Sequence, residues 1–92
     1  MDDPFAELRA EYASLLPGYA SELRAIVRAA DWAEAALLAH RLAGTAGSYG
    51  FRDTGAIARR IELAIEARDG EVDALLDVLD GSVRAAVGAE AP

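Results

Sequence analysis

The apolar residues of the chain recur at steps of three and four, the spacing that places side chains on one face of an α-helix. The central part of this pattern predicts a helix from about Trp32 to about Tyr49. Asp31 and Glu34 resemble a capping box at its start, and Gly50 is suited to cap its end. The apolar stripe of this helix consists of Ala35, Leu38, Leu42, Thr45 or Ala46, and Tyr49. That face is therefore expected to pack against a core.

Two apolar stripes precede this helix, and Pro17-Gly18 separates them. The second stripe begins at Tyr19 and ends at Ala30-Asp31. Proline is well tolerated in the first turn of a helix, so this point is interpreted as a bend between two helices that run almost end to end. The short first helix is predicted by Phe5, Leu8, Tyr12 and Leu15.

Two further stripes follow the central helix. Asp53-Thr54 is the predicted N-cap of the first, which stops at Asp69-Gly70, and the last helix runs from Val72 to about Val87. No alternation of period two and no Asn-Gly hairpin signal occurs in the sequence. Because the connections are short, neighbouring helices are expected to be antiparallel. The predicted fold class is all-α, an antiparallel up-down four-helix bundle with a short additional N-terminal helix.

Length and composition predict a single folded domain over residues 1–92. Of the 92 residues, 53% are apolar, and none is cysteine, which fits a reducing compartment. No apolar run approaches the roughly 20 residues of a membrane span, and the acidic start Met1-Asp2-Asp3-Pro4 is unlike a secretory signal. We therefore expect a cytoplasmic protein without a membrane segment. The initial methionine and the compact length further suggest a free-standing protein.

Charge and residue content argue against several classes of function. The net charge of -7 disfavours a nucleic-acid partner, because such binding relies on cations that neutralise phosphates. A single histidine without cysteine provides no metal-ligand set. The sequence has no glycine-rich nucleotide loop, and its serines lack the context of a catalytic triad. We therefore expect no cofactor, no metal and no enzyme active site of its own.

The histidine, His40, lies on a helix surface without large side chains. At about 100° per residue it points roughly opposite the apolar stripe, toward solvent. Its neighbours one or two turns away are Ala36, Ala43, Gly44 and Gly47. Each glycine inside a helix costs about 1 kcal/mol relative to alanine, so helix stability does not account for them. The pattern indicates an exposed imidazole with a clear approach.

The residues that follow this histidine have a specific spacing, His40-x-Leu42-x-Gly44-Thr45-Ala46-x-x-x-Gly50. This run resembles the signature of histidine-containing phosphotransfer (HPt) domains of multistep two-component phosphorelays, and the resemblance extends over nearly the whole chain. It implies a phosphocarrier in which His40 relays a phosphoryl group between receiver-domain aspartates. The implied partners are response-regulator receiver domains or a hybrid histidine kinase, with Mg²⁺ on the receiver and the carrier as a monomer. One position departs from the family, because Ala43 stands where many members have a lysine that helps to hold the phosphate.

Hairpin register predicts a partner for the imidazole. If the chain reverses around Phe51, His40 lies level with Glu62 on the next helix. A carboxylate that accepts a hydrogen bond from Nδ1–H would leave Nε2 bare, the form that attacks phosphorus. The alternative is that Glu62 is a surface acid paired with Arg59 or Arg60.

Two arginines are candidates for the cation that is missing at Ala43. Arg41 is next to His40 and its long side chain can fold back toward the phosphorylated nitrogen, whereas Arg59 lies on the partner helix. The sequence favours Arg41. The alternative is that Arg41 pairs only with surface acids.

The small residues also predict where a receiver docks. A bulky side chain at Gly44 or Gly47 would hold the partner away from the imidazole. The predicted docking residues are Ala36, Leu37, Ala43, Gly44 and Gly47. Two other hypotheses stay open: a helical interaction module that uses this face without phosphorylation of His40, and a structural dimer that packs this face on a second copy.

Overall fold

The computed structural model describes residues 3–90, which form four helices connected by short loops. The helices are α1 (Ala6–Arg28), α2 (Trp32–Ser48), α3 (Arg52–Glu66) and α4 (Val72–Glu90). No β-strand occurs in that range, so the all-α prediction is confirmed there. Between residues 3 and 90, no helix combines the length and the hydropathy that crossing a membrane requires.

The separate N-terminal helix that the sequence predicted is not found among residues 3–90, because α1 runs unbroken through Pro17. A proline inside a helix removes one backbone hydrogen bond. Pro17 is exposed, however, and the residues buried before and after it form one continuous stripe. This stripe consists of Tyr12, Ala13, Leu16, Ala20, Leu23 and Val27. Packing of that face on both sides of Pro17 outweighs the lost hydrogen bond, since tertiary packing supplies most helix stability in proteins.

The predicted apolar stripe of the first helix is correspondingly wrong. Phe5, Leu8 and Leu15 are exposed, and of the four residues only Tyr12 is buried. Tyr12 stacks on Tyr49 with ring centroids 4.4 Å apart, and its hydroxyl lies 2.6 Å from Oγ1 of Thr45. These two contacts attach α1 to the C-terminal half of α2.

The ends of α2 agree with the sequence. The backbone N–H of Glu34 donates to the Asp31 side chain at 3.4 Å, which is one of the two hydrogen bonds of a capping box. The N–H of Asp31 donates to the Ile26 carbonyl at 3.2 Å and not to the Glu34 side chain, so the box is only half formed. At the other end Gly50 adopts φ +90°, a left-handed conformation that favours glycine, and the N–H of Phe51 donates to the Ala46 carbonyl at 2.8 Å. Only three residues, 49–51, connect α2 to α3.

The start of α3 differs from the prediction. The helix begins at Arg52 with Phe51 as its N-cap, and Asp53 already lies in its first turn. Thr54 does not cap the helix, because its side chain is buried and its hydroxyl lies 2.7 Å from the Ser82 hydroxyl of α4. The hydroxyl that resembled a capping group therefore serves a contact between helices.

Each helix contacts two others. α1 and α3 each contact α2 and α4, so the four helices surround one shared core. Arg24 of α1 donates to Asp77 and Asp80 of α4 at 2.9 and 2.8 Å, and Arg9 donates to Glu90 near the other end of the same pair at 3.2 Å. α2 and α3 share the most extensive contact of any pair.

Gly55 explains why α2 and α3 approach so closely. A Cβ placed on this buried residue would lie 3.0 Å from the Ala43 carbonyl oxygen and 3.2 Å from the Gly47 nitrogen. Both atoms belong to the backbone of α2 and cannot move independently of it. Glycine at 55 is therefore required for the observed spacing, and sequence reasoning did not single it out.

We expect Gly55→Ala to destabilise the fold by about 1 kcal/mol. Helix propensity favours alanine by up to about 1 kcal/mol, but forcing an extra carbon into a packed contact costs roughly 1–3 kcal/mol. Gly44→Ala is the matched control, because nothing lies within 4 Å of a Cβ there and propensity should stabilise it. Urea denaturation of both variants measures the difference. An equal gain for the two glycines would show that the helices have room at Gly55.

Candidate functional site

The buried face of α2 places His40 on the outside of the bundle. The buried residues of this helix are Ala35, Ala39, Leu42 and Ala46. Ala39 was not part of the predicted stripe, and Leu38 is half-buried. The His40 side chain is 65% exposed to solvent. The imidazole is therefore accessible from solvent, as the sequence predicted from the position of His40 opposite the apolar stripe of the helix.

The residues that surround His40 differ in accessibility. A Cβ on Gly44 or on Gly47 would meet nothing within 4 Å, so both positions border open space. Leu37 is 43% exposed. Ala36 and Ala43 are half-buried against the core cluster, because they lie on the side of α2 that faces α3. The open part of the predicted docking face is therefore formed by Leu37, Gly44 and Gly47.

The structure brings Glu62 to the imidazole. Oε2 of Glu62 lies 2.9 Å from Nδ1 of His40. Glu62 is 6% exposed, and it is the only buried charged residue in the described part of the chain. The side-by-side placement of His40 and Glu62 that hairpin register predicted is present, and the carboxylate is buried beneath the ring rather than solvated.

Arg59 occupies the other oxygen of the same carboxylate. Its Nη1 donates to Oε1 of Glu62 at 2.6 Å, across one turn of α3. The pairing with His40 and the pairing with Arg59 were alternatives in the sequence, and here both are made at once. Arg60 lies elsewhere, in a groove of about 670 Å³ between α3 and α4. His40, Glu62 and Arg59 thus form one continuous hydrogen-bonded chain.

The environment of Glu62 favours its ionised form. Burial by itself raises the pKa of this carboxyl, but the hydrogen bond from Arg59, the positive charge that His40 gains on protonation and the hydrogen bond from His40 together lower the pKa below its ordinary value. The carboxylate is therefore an acceptor only, with one oxygen for each neighbour.

This protonation state determines the tautomer of His40. An ionised carboxylate cannot donate, so in the neutral ring the proton at this contact must belong to Nδ1. Nε2 then carries the free electron pair. Within residues 3–90 no hydrogen bond reaches Nε2. In this tautomer the outer nitrogen of an exposed ring has the electron pair that a nucleophile needs.

Arg41 projects from a flank of α2 other than the one that faces Glu62 of α3. Thr45, one turn further along, donates its hydroxyl to the Arg41 carbonyl at 3.0 Å and contacts Tyr12 of α1. This flank therefore faces α1, whereas Ala43 and Gly47 face α3. Arg41 is exposed and forms no ion pair with any residue between 3 and 90.

Within residues 3–90, no cluster of three or more histidine and acidic side chains is placed to hold a metal ion.

Gly55 belongs to the site indirectly, because it sets the distance between α3 and α2, and it was not among the predicted site residues. Its signal in the sequence was its position, four residues before Arg59 and seven before Glu62, which is one face of a helix.

Comparison with known proteins gives one match. The family model described as the Hpt domain matches residues 7–90 of the chain. The matched stretch contains the four helices nearly completely, and with them His40, Glu62 and Arg59. Comparisons with curated proteins and with solved structures gave no match.

Glu62→Gln should weaken the dependence of stability on pH in the acidic range. The lowered pKa means that the ionised carboxylate stabilises the fold above about pH 4.3, and that this stabilisation is lost as the pH falls through the lower value of the folded state. A glutamine at position 62 does not ionise, so the variant has no such stabilisation to lose. We expect the free energy of unfolding of the wild type to fall more steeply than that of the variant as the pH falls from about 5 to about 3.

Chemical denaturation at several pH values measures this difference. Glu66→Gln removes an exposed carboxylate from the same helix and controls for the change of one charge. Parallel curves for the wild type and Glu62→Gln would mean that the ionised carboxylate contributes no stability to the folded state.

Proposed function

Because the chain belongs to the Hpt domain family, the histidine phosphotransfer domain of two-component phosphorelays, we propose that His40 is its phosphoacceptor. In this proposal the chain takes a phosphoryl group from the aspartate of one receiver domain and passes it to the aspartate of another. The observation that carries the proposal is the exposed imidazole whose Nδ1 is bound to a buried carboxylate 2.9 Å away. Such a ring presents Nε2 outward in the tautomer that can attack.

The proposed step is an in-line displacement at phosphorus. The electron pair of Nε2 forms the new N–P bond while the P–O bond to the donor aspartate breaks, and that electron pair leaves on the aspartate carboxylate. Nδ1 keeps its proton, so the phosphorylated ring carries a positive charge next to Glu62. The reverse step returns the N–P electron pair to Nε2. Glu62 acts as a positioning residue that stabilises this charge.

The chain is proposed to be a phosphocarrier and not a kinase. The receiver domain, or a hybrid histidine kinase that contains one, would supply the Mg²⁺ and most of the stabilisation of the transition state. Arg41 and Arg59 are the two candidates for a cation that supports the phosphoryl group. The carrier is proposed to act as a monomer, because the face around His40 has to stay open for its partner.

The proposed docking surface surrounds the imidazole. A receiver must bring its phosphorylated aspartate within bonding distance of Nε2, and the open space at Gly44 and Gly47 supports such an approach. Leu37 adds an exposed apolar contact beside it. Ala36 and Ala43 are half-buried on the side of α2 that faces α3, and their small side chains leave the edge of the docking surface flat.

We further propose that residues 1–92 form one domain in which the helices follow an antiparallel up-down order. Three observations support this order. The helices share one core, the loops between them are short, and the contacts pair early residues of one helix with late residues of its neighbour. Arg9 with Glu90 and Arg24 with Asp77 illustrate this pairing for α1 and α4.

Replacing His40 by glutamine should abolish labelling by a phosphorylated receiver domain. The glutamine amide can still donate to Glu62 but cannot accept a phosphoryl group. We expect an acid-labile, base-stable label on the wild type and none on His40→Gln. Circular dichroism of the variant controls for folding. A receiver that binds both proteins equally without labelling either would instead support an interaction module, and a concentration-dependent dimer in gel filtration would support the structural dimer.

Gly44→Leu should block transfer from a receiver while the fold remains intact. The side chain would project into the open space that the partner needs. We expect the rate of transfer from the receiver to fall by at least about tenfold, which corresponds to roughly 1.4 kcal/mol. Phosphoramidate is small, and its labelling of His40 should be unchanged. Gly18→Leu, at an exposed and equally open glycine of α1, is the matched control. Undiminished transfer in Gly44→Leu would place the docking surface elsewhere.

A further inference from the structure

We propose that Arg59 binds the phosphoryl group on His40 and prolongs its lifetime, and that it does so from α3, across the helix interface. The inference rests on the proposed function of His40 as phosphoacceptor. Arg59, and not Arg41, is the cation assigned to the phosphoryl group.

The position of Arg59 follows from the face of α3 that is turned toward α2. Gly55, Arg59 and Glu62 are separated by four and three residues, so they lie in one row along the helix. The first of them contacts the backbone of Ala43, and the last contacts His40. Arg59 lies between these two contacts and therefore projects from α3 beside the stretch of α2 from Ala43 to His40.

The surface of α2 leaves room for this side chain. Ala43 carries only a methyl group, and Gly44 beside it carries no side chain and borders open space. Arg59 is 55% exposed, and its recorded contact uses one nitrogen, Nη1, on Glu62. A guanidinium has five N–H donors in a fixed fork, so the remaining donors can reach a second anion while the first contact is kept.

The charges at the site favour such a cation. A phosphoryl group on Nε2 would bring about two negative charges close to the buried carboxylate of Glu62. The positive charge of the phosphorylated ring offsets only part of this repulsion. Arg59 is the only cation in ion-pair contact with Glu62 in the part of the chain that the structure describes, apart from His40 itself. One guanidinium placed between the two anions stabilises both.

Arg41 is less suited to this position. It projects from the flank of α2 that faces α1, as the contact of Thr45 with Tyr12 shows. The carboxylate that fixes the ring orientation lies on the opposite flank. Its guanidinium would have to fold around α2 to reach a phosphoryl group and would lose side-chain freedom without a second anchor.

The lifetime of the phosphorylated form reports on this contact. In hydrolysis, the oxygen of water forms a bond to phosphorus while the N–P bond breaks and its electron pair returns to Nε2. Both protons of the water leave with the phosphate, and Nδ1 keeps its own. A cation that binds the phosphoryl oxygens and shields them from water is expected to slow this step.

The test uses phosphoramidate as the donor, so that no receiver is needed. Nε2 attacks its phosphorus, and the electron pair of the broken P–N bond leaves on nitrogen, which takes up a proton from solvent and departs as ammonia. Release of phosphate is then followed over time for the wild type, Arg59→Gln, Arg59→Lys and Arg60→Gln. We expect release from Arg59→Gln to be about fivefold faster or more, with partial recovery in Arg59→Lys. Arg60→Gln, which changes the neighbouring arginine in the α3/α4 groove, should match the wild type.

A second pair of variants separates direct contact from an effect through the carboxylate. Glu62→Gln and Glu62→Gln/Arg59→Gln are compared in the same assay. If Arg59 binds the phosphoryl group, its loss speeds release in the Glu62→Gln background as well; if it acts only by holding Glu62, the two variants release phosphate at the same rate and the inference is overturned.

Two further outcomes overturn the inference. If phosphorylated Arg59→Gln keeps the wild-type lifetime, Arg59 does not bind the phosphoryl group, although His40 is still the acceptor. If Arg41→Gln, measured in the same assay, releases phosphate faster while Arg59→Gln does not, the contact belongs to Arg41. Absence of any label on wild-type His40 would overturn the proposed function and this inference with it.

Discussion

The geometry around His40 depends on one buried carboxylate. Glu62 is 6% exposed, and both of its oxygens are occupied, by Nδ1 of His40 at 2.9 Å and by Nη1 of Arg59 at 2.6 Å. A buried charge without such partners would be strongly destabilising. The same two contacts that make the charge tolerable also orient the imidazole and leave its outer nitrogen free. One interaction therefore stabilises the interface between the two helices and sets the tautomer of the neutral ring.

That interaction requires α2 and α3 to lie at a particular distance. The distance between the helices is set where Gly55 meets the backbone of Ala43 and Gly47. A Cβ at Gly55 would lie only 3.0 Å from the Ala43 carbonyl oxygen. Glycines lower the stability of helices, so this part of the bundle gives up intrinsic helix stability in return for close packing at Gly55 and open space at Gly44. Gly44 and Gly55 thus differ physically, although both are helical glycines of the same hairpin.

The chain belongs to the Hpt domain family, and under the proposed function these features serve the transfer of a phosphoryl group. The departure at Ala43 then becomes informative, because the hydrogen-bonded chain includes an arginine on the neighbouring helix. In the proposed arrangement the nucleophile is provided by α2, whereas the carboxylate and the cation are provided by α3. Such a division makes the packing of two helices, and not the spacing within one, responsible for the environment of the phosphoryl group.

Local spacing of residues determined the all-α class, the position of α2 between its N-cap Asp31 and Gly50, and the outward direction of His40. The register expected for two antiparallel helices joined by a short loop also predicted the proximity of Glu62 to His40. Only the tertiary structure decided that α1 continues through Pro17 and that Thr54 bonds Ser82 instead of capping a helix. It alone also showed that Glu62 serves His40 and Arg59 together. These features arise from burial between helices, where packing outweighs the preferences of single residues, and a one-dimensional pattern does not contain that balance.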